Sequence, residues 1–230
     1  MDSFETSGYV VIERHIPETL IDSINNRLNE LKPVRALSSD KKYAEKDKIQ
    51  TELKDIAIWW SQMVMDWDEV KAIEKLISPI VLPRMTNGKW YASDIVTIET
   101  QSNFVNPHVD TPHRFPKWTE DKRLLGIQCI VSLHDIDKNS ASTGLVPESQ
   151  HRDFYNELCN SGYYDRWFQK RAIQPDMPKG SLLYYNCRVL HSSMPNPSNR
   201  PRHALLFNYL ESDIISEVEN VDNIWNSNGK

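Results

Sequence analysis

The stretch "GSLLYYNCRVLHSSMPNPSNRPRHALLFNYL", residues 180–210, decides the fold of this 230-residue chain. Its first half is rich in apolar and aromatic residues and leads to His191, and an apolar run begins at Arg202. Prolines, asparagines and serines fill the segment between them, as is typical of a turn that joins two strands. The stretch therefore predicts two β-strands, with a histidine at the end of one and an arginine at the start of the other.

Three further segments carry the same strand pattern, because they are rich in β-branched and aromatic residues and are bounded by turn residues. They are "KWYASDIVTIETQSNF" (89–104), "RLLGIQCIVSLHDID" (123–137) and "GLVP" (144–147). One helix is expected between strands, in residues 148–171. We therefore expect strands to dominate the last two thirds of the chain.

The first third of the chain is dominated by helical periodicity. A short strand is expected in "GYVVIERHI" (8–16), and apolar residues then recur at helical spacing in "PETLIDSINNRLNELK" (17–32). Residues 48–80 predict two more helices, divided near residues 66–68. These two helices are expected to share a dense aromatic surface made of Trp59, Trp60, Met63 and Trp67.

Early helices followed by many short strands predict a mainly β fold with flanking helices. A β-sandwich or jelly roll with helices packed on one face fits this order of elements. The sequence shows no internal repeat and no low-complexity tract. We expect one domain over residues 1–230, with a mostly helical flank at 1–85 and a jelly-roll core at 86–215.

Composition and charge narrow the classes of function. The formal net charge is -5 and no run of lysine or arginine exceeds two, so the sequence argues against a nucleic-acid partner. A basic leader and an apolar stretch of about 20 residues are both missing, so we expect no membrane partner and a soluble, cytoplasmic protein. Cys129, Cys159 and Cys187 are odd in number and widely spaced, which indicates reduced, buried thiols.

Metal-ligating residue types occur together in "NPHVDTPHRFPKW", residues 106–118. Strand side chains return to the same face every second residue, so His108 and Asp110 can point at one ion. The flanking prolines disfavour a helix here. His113 is an alternative to His108 as a ligand, although its spacing of three residues from Asp110 breaks the alternation.

His191 adds a second imidazole to this pair. Two imidazoles and one carboxylate form the facial ligand set of non-haem iron(II) oxygenases, which leaves positions open for a chelating cosubstrate and O2. Arg202 lies on an apolar strand, where alternation places it on the face of Ala204. Because an unpaired arginine on an inward face is costly, we expect an anionic partner that its planar fork can bind through two hydrogen bonds.

Two other classes of function use the same residues. A cupin-type metal-dependent hydrolase or isomerase could hold zinc or manganese, and a noncatalytic jelly-roll module could bind a ligand without chemistry. Arg202 favours the oxygenase over the hydrolase, since a hydrolase has no need for a buried partner to a dicarboxylate cosubstrate.

The chain resembles the phytanoyl-CoA dioxygenase family of Fe(II)/2-oxoglutarate-dependent oxygenases over most of its length. "SGYVVIERHIPETLIDSINNRL" resembles the opening strand and helix of the family, "NPHVD" its metal motif, and "LLGIQCIVSLHDIDKNSASTGLVPESQH" its central strands. "KGSLLYYNCRVLHSSMPNPSNRPRHALLFNY" (179–209) resembles the closing block. The resemblance implies a double-stranded β-helix, a cupin-like barrel with the metal at its mouth.

The resemblance also implies roles for individual residues. His108, Asp110 and His191 would be the iron ligands, Arg202 the partner of the distal carboxylate of 2-oxoglutarate, and Ser193 an additional donor to that carboxylate. Arg200 competes with Arg202. Arg202 is preferred because it lies eleven residues after His191 and directly follows Pro201, as in the family pattern.

The implied reaction is hydroxylation of a C–H bond of a small molecule, with release of succinate and CO2 from 2-oxoglutarate. An intact carboxylate at Asp110 favours hydroxylation over halogenation, because related halogenases resemble this pattern with a small residue there. The sequence departs from the family at residues 147–151, which read Pro-Glu-Ser-Gln-His where the family typically has Pro-Gly-Ser-His.

Residues after Asp110 are candidates for contact with the substrate. The loop "TPHRFPKWTEDKR" (111–123) is rich in cationic and aromatic side chains, as are many loops that cover active sites. The alternative is a solvated loop without such a role. The candidate substrate residues are His113, Arg114 and Trp118 in this loop and Gln128 in a central strand.

Overall fold

A computed structural model of the chain describes residues 3–30, 59–100, 102, 107–113, 117–118, 121–151, 168 and 170–219. Helices lie mainly before residue 85, as predicted. They are α1 (Ser3–Ser7), α2 (Glu18–Glu30) and α3 (Asp68–Val81), with a 3-10 turn at Leu82–Arg84. In the described ranges, none of the helices combines the length and apolar character that a membrane crossing requires.

The strands alternate with loops along the rest of the described chain. They are β1 (Tyr9–Ile12), β2 (Trp59–Met63), β3 (Gly88–Ile98), β4 (Gly126–Ser132), β5 (Thr143–Leu145), β6 (Leu182–Asn186), β7 (His191–Ser193) and β8 (Arg202–Glu211). A 3-10 turn covers Ser149–His151. Strands are therefore confirmed in the three upstream segments and in the closing stretch. The first strand predicted in the closing stretch is divided, because β6 ends at Asn186 and His191 begins the separate strand β7 of the smaller sheet.

Two antiparallel sheets face each other. The larger has six strands in the order β1-β6-β4-β8-β3-β2, and the smaller pairs β5 with β7. Most neighbours in the larger sheet are not consecutive strands of the chain, the exception being β2 and β3. A mainly β fold with flanking helices is thus confirmed.

The helices cover the outer face of the six-stranded sheet. Ile21 of α2 and Ile73 of α3 share one fully buried cluster with Leu205 and Phe207 of β8. Each buried isoleucine of this kind contributes about 1.5–3 kcal/mol relative to an exposed one. The helices therefore cover only one face of the large sheet, and the opposite face is left for contact with the smaller sheet.

The inner face of the six-stranded sheet packs against the smaller sheet. Ile130, Leu183 and Ala204 of the large sheet share a second buried cluster with Leu145 of β5. Directly opposed residues in an antiparallel pair point to the same face, so the register fixes which side chains enter the space between the sheets. The functional site is found at one end of this space.

The helix predicted over residues 59–63 is wrong, because Trp59–Met63 form the edge strand β2. This strand pairs antiparallel with β3, from Trp59 opposite Ile98 to Met63 opposite Asp94. Hydrogen bonding to a strand more than thirty residues away outweighs the local helical periodicity that the sequence shows. Residues 48–58 of the same predicted helix lie outside the described residues.

The predicted aromatic surface is also divided, since Trp67 is buried whereas Met63 is 62% exposed. Most of the helix expected at 148–171 lies outside the described residues. The division of a single domain into a helical flank and a core stays a prediction, and β1 and β2 show that residues before 85 also supply strands to the large sheet.

The backbone conformation at residue 8, which joins α1 to β1, favours a glycine. Its φ is 85°, and a Cβ built there would lie 2.4 Å from Oε1 of Gln150. We expect Gly8→Ala to lower the free energy of unfolding by about 1–2 kcal/mol from the backbone penalty alone, as measured by urea unfolding. Ser7→Ala is the control because Ser7 ends a helix, and equal losses in both variants would contradict this reading.

Candidate metal centre

Backbone pairing brings His108 and His191 side by side. The N–H of each donates to the carbonyl oxygen of the other, at 2.9 Å and 3.0 Å, and the two residues form an isolated antiparallel bridge. Side chains of such a pair project to the same face, and the two imidazole centroids lie 4.4 Å apart. The convergence of two strand ends that the sequence indicated is therefore present in the structure.

Asp110 joins the two histidines from the same loop as His108. Its N–H donates to the carbonyl oxygen of Cys187 at 2.8 Å, which ties the loop to the end of β6. Its Oδ1 lies 3.8 Å from Nε2 of His108 and its Oδ2 lies 3.4 Å from Nε2 of His191. The three side chains each offer a ligand atom, and these atoms all lie within 4.8 Å of one another.

The orientation of His191 is set by a second hydrogen bond. Its Nδ1 lies 3.0 Å from the carbonyl oxygen of Val189. Because a carbonyl oxygen only accepts, Nδ1 donates to it, and Nε2 is the ring nitrogen that faces Asp110. Exposure of the side chains rises from 7% at His191 through 20% at Asp110 to 43% at His108. The group is thus buried on one side and open on the other.

Tyr185 holds the carboxylate of Asp110. Its hydroxyl donates to Oδ2 of Asp110 at 3.0 Å, and its ring centroid lies 4.8 Å from that of His191. Burial, with a further contribution from the charge of Asp110, raises the pKa of Tyr185 well above its ordinary value, so the phenol remains a donor. The sequence did not indicate this residue, because strand alternation alone does not say which face of β6 turns toward the histidines.

Removal of this hydroxyl tests its role in positioning Asp110. We expect Tyr185→Phe to weaken iron(II) binding about tenfold, as is usual when a partner that orients a metal ligand is lost. Anaerobic titration calorimetry measures the change. Tyr184→Phe is the matched control, because the Tyr184 hydroxyl accepts from Arg84 on the outer face of the same strand. An unchanged affinity in Tyr185→Phe would remove the proposed positioning role.

Arg202 lies at the start of β8 and is 2% exposed. Its Nη2 donates to Oγ1 of Thr143 at 3.0 Å, and its Nε is buried without a hydrogen-bond partner. Burial lowers the pKa of Arg202 to about 10. Among the described residues, no carboxylate pairs with this guanidinium. Burial and an unused donor are the features for which an anionic ligand of Arg202 is expected, and that ligand stays a prediction.

Ser193 and Thr143 lie opposite each other in the smaller sheet. Thr143 of β5 is in register with Ser193 of β7, and Thr143 also accepts from Arg202. Arg200, the competing arginine, is exposed. Thr143 was missed by sequence reasoning, because its contact with Arg202 spans 59 residues and depends on how the two sheets face each other.

Two of the three loop residues proposed for substrate contact are described by the structure, and both are buried. His113 is 1% exposed, with its Nδ1 3.0 Å from the carbonyl oxygen of Trp118. Trp118 is 3% exposed and packs in a cluster that includes Leu125 and Leu210. Arg114 lies outside the described residues. A substrate role for these three residues stays a prediction.

Gln128 and Asp94 lie on the inner face of the large sheet. Gln128 is 3% exposed and its Oε1 is buried without a hydrogen-bond partner. Asp94 is opposite Leu206, which packs in the inner cluster. Burial, and then the charge of Asp110, raise the pKa of Asp94 to about 6. Asp94 was not among the predicted site residues, although an acid inside the apolar segment "DIVTI" was a visible signal.

The turn that departs from the family pattern keeps a backbone typical of glycine. Glu148 has a φ of 63°, in the left-handed region. Its N–H donates to the carbonyl oxygen of Ser7 at 3.1 Å, and Oγ of Ser149 accepts from the N–H of Leu190 at 2.8 Å. The turn therefore ties the N-terminal helix to the segment before His191 even though glycine has been replaced.

Comparison with solved structures shows the same fold in several proteins. The carbocyclase SnoK from nogalamycin biosynthesis is 18% identical, with a TM-score of 0.67 over 91% of this chain and 82% of that one. The epimerase SnoN, in complex with Fe3+, alpha ketoglutarate and nogalamycin RO, is 15% identical, with a TM-score of 0.64 over 91% and 81%. HygX from Streptomyces hygroscopicus, with nickel and 2-oxoglutarate bound, is 16% identical, with a TM-score of 0.65 over 91% and 85%. The likeness confirms the jelly-roll fold.

Sequence comparison assigns the family. No curated protein sequence matches the chain significantly. The family model described as phytanoyl-CoA dioxygenase (PhyH) matches residues 4–204, which include the two histidines, the aspartate and the buried arginine described above. The chain therefore belongs to the phytanoyl-CoA dioxygenase family.

Proposed function

We propose that this protein is an Fe(II)- and 2-oxoglutarate-dependent dioxygenase that hydroxylates a C–H bond of a small molecule and releases succinate and CO2. The observation that carries the proposal is the pairing of two features. His108, Asp110 and His191 place their ligand atoms within 4.8 Å of one another, and Arg202 is buried nearby in the fold with an unused donor.

The three side chains fit iron(II) in both chemistry and spacing. Two imidazoles and one carboxylate suit a first-row divalent ion and leave coordination positions free. Ligand bonds of about 2.0–2.2 Å around one ion separate neighbouring ligand atoms by roughly 3 Å. The distances of 3.4 Å and 3.8 Å from Asp110 to the two imidazoles need only small side-chain rotations to reach that value.

The buried arginine fits 2-oxoglutarate, a dicarboxylate that chelates the metal at one end and needs a cation at the other. Arg202 would bind the distal carboxylate, with Thr143 holding the guanidinium and Ser193 next to it. When bound together, iron(II) and 2-oxoglutarate supply the activation of O2 that couples decarboxylation to oxidation of the substrate. A hydrolase leaves Arg202 unexplained.

The protein contributes orientation and shielding. Val189 fixes the proton of His191, Tyr185 fixes the carboxylate of Asp110, and the backbone bridge fixes His108 relative to His191. The more exposed side of His108 gives access to the open coordination positions. A substrate would enter from this side, so oxidation would take place at the open end of the space between the sheets.

The structural neighbours support the cosubstrate but differ in outcome. SnoN and HygX were crystallised with a metal and with alpha ketoglutarate or 2-oxoglutarate. SnoK is named as a carbocyclase and SnoN as an epimerase. Hydroxylation therefore has to be distinguished from these outcomes by the mass of the product.

Turnover with a panel of small molecules tests the proposal. The protein is incubated with Fe(II), 2-oxoglutarate and O2, and candidates that stimulate succinate release are followed by mass spectrometry. The expected product gains one oxygen atom, and when the reaction is run under 18O2 that atom is 18O. A product lighter by two hydrogens would indicate cyclisation, and a product of unchanged mass would indicate epimerisation. Either result would contradict hydroxylation.

A further inference from the structure

Three polar side chains on the inner face of the large sheet have no role in holding iron or 2-oxoglutarate. They are Asp94 on β3, Gln128 on β4 and Asn208 on β8. These strands are adjacent in the order β4-β8-β3. The three residues therefore form one patch on a rigid sheet.

The register connects this patch to the metal centre. Gln128 is directly opposite Tyr185 on one side and Asn208 on the other. Tyr185 in turn donates to Asp110. On β3, Ala92 is opposite Asn208 and Asp94 is opposite Leu206. Asp94 is two residues from Ala92 and shares its face, so it is a diagonal neighbour of Asn208. The patch thus begins next to the side chain that holds a proposed metal ligand.

The patch consists of acceptors that the protein leaves unused. Oε1 of Gln128 and Oδ1 of Asn208 are buried without a hydrogen-bond partner, and Gln128 is 3% exposed. Asp94 has only Asp110 as a charged neighbour, and no described cation pairs with it. Buried acceptors without partners are destabilising, so a ligand that donates to them is expected.

The position and charge of the patch argue against 2-oxoglutarate as this ligand. Asn208 is six residues along β8 from Arg202, which is about 20 Å at the usual rise of a strand. This is the distance between strand positions, so Asn208 is well separated along β8 from the start of the strand where Arg202 would bind 2-oxoglutarate. A second anion is disfavoured as well, because Asp94 and Asp110 would repel it and a carboxylate cannot donate to the unpartnered amide oxygens of Gln128 and Asn208.

A primary ammonium group matches all of these features. It carries three N–H donors and no acceptor, which corresponds to three acceptor side chains, and its positive charge is complementary to Asp94. A hydroxyl group supplies one donor and leaves the remaining acceptors without partners. The chemistry of the patch therefore selects cationic amines over alcohols and acids.

We propose that Asp94, Gln128 and Asn208 form a subsite for a primary ammonium group of the substrate, so that the enzyme oxidises a C–H bond of an amine-bearing small molecule. The inference rests on the proposed function, since it names the substrate class of the same site.

Matched probes of one chain length test the subsite. n-Butylammonium, 1-butanol and butyrate are titrated into wild-type protein in amine-free buffer, and dissociation constants are obtained by ligand-observed NMR. We expect n-butylammonium to bind about tenfold more tightly than 1-butanol, as for hydrogen bonds to a charged partner. We expect Asp94→Asn to abolish this preference, and Asp213→Asn, at an exposed acid elsewhere, to retain it.

The outcomes separate this inference from the proposed function. An n-butylammonium affinity equal to or below that of 1-butanol or butyrate, including no binding, overturns the subsite. A preference that survives in Asp94→Asn also overturns it. If Asp94→Asn does not fold, Asn208→Leu takes its place. Loss of the preference for n-butylammonium in Asn208→Leu supports the subsite, and a preference that survives in this variant overturns it. The probes bind without cosubstrate, so failure of the wild-type protein to bind Fe(II) and 2-oxoglutarate counts against the proposed function alone.

Discussion

Asp110→Ala is expected to weaken iron(II) binding by more than about 100-fold and to abolish turnover. Loss of residues that only orient metal ligands already costs 10–100-fold, and Asp110 would supply the one anionic ligand of the site. The removal of its charge also leaves the two imidazoles without the carboxylate that lies 3.4 Å and 3.8 Å from them. Anaerobic titration calorimetry with Fe(II) measures the effect.

An exposed acid provides the control for this variant. Asp213 is 63% exposed and pairs with Arg123 at 3.7 Å, so Asp213→Ala should leave the affinity for iron within twofold of wild type. If the affinity of Asp110→Ala were also unchanged, the three residues would not hold the metal. The same result would favour a noncatalytic jelly-roll module.

Arg202→Ala is expected to raise the dissociation constant of 2-oxoglutarate about 100-fold while changing iron(II) affinity less than threefold. Two charge-assisted hydrogen bonds of about 1.5 kcal/mol each account for this magnitude. Titration of 2-oxoglutarate into the iron(II)-loaded variant measures the loss. The split between the two affinities follows from the place of Arg202 on β8, because it touches Thr143 rather than the proposed metal ligands.

Arg200→Ala is the matched control, since Arg200 is exposed and lies two residues before Arg202. It should keep the affinity of the wild-type protein for 2-oxoglutarate. Equal losses of iron(II) and 2-oxoglutarate affinity in Arg202→Ala would contradict the assigned role. A loss in Arg200→Ala without one in Arg202→Ala would transfer the role to Arg200.

The parts of the fold that local patterns determine could be predicted from the sequence. Helices α2 and α3 follow from apolar residues at helical spacing, and β4, β6 and β8 from dense β-branched and aromatic runs. The convergence of His108 and Asp110 with His191 followed from their positions at strand ends. Each of these features depends on a few neighbouring residues or on one turn.

Features that depend on register could not be predicted. β2 is a strand only because β3 lies beside it, and its own sequence favours a helix. Tyr185 and Thr143 become part of the site through contacts that span 75 and 59 residues. Alternation divides each strand into two faces but does not say which face turns toward the other sheet.

The most direct test of the account is the formation of the ternary complex with metal and cosubstrate. Fe(II) and 2-oxoglutarate are added to the wild-type protein without oxygen, and the visible absorption spectrum is recorded. The account predicts a charge-transfer band that requires both additions and is missing from Asp110→Ala. The absence of a band from the folded wild-type protein at saturating Fe(II) and 2-oxoglutarate would contradict it.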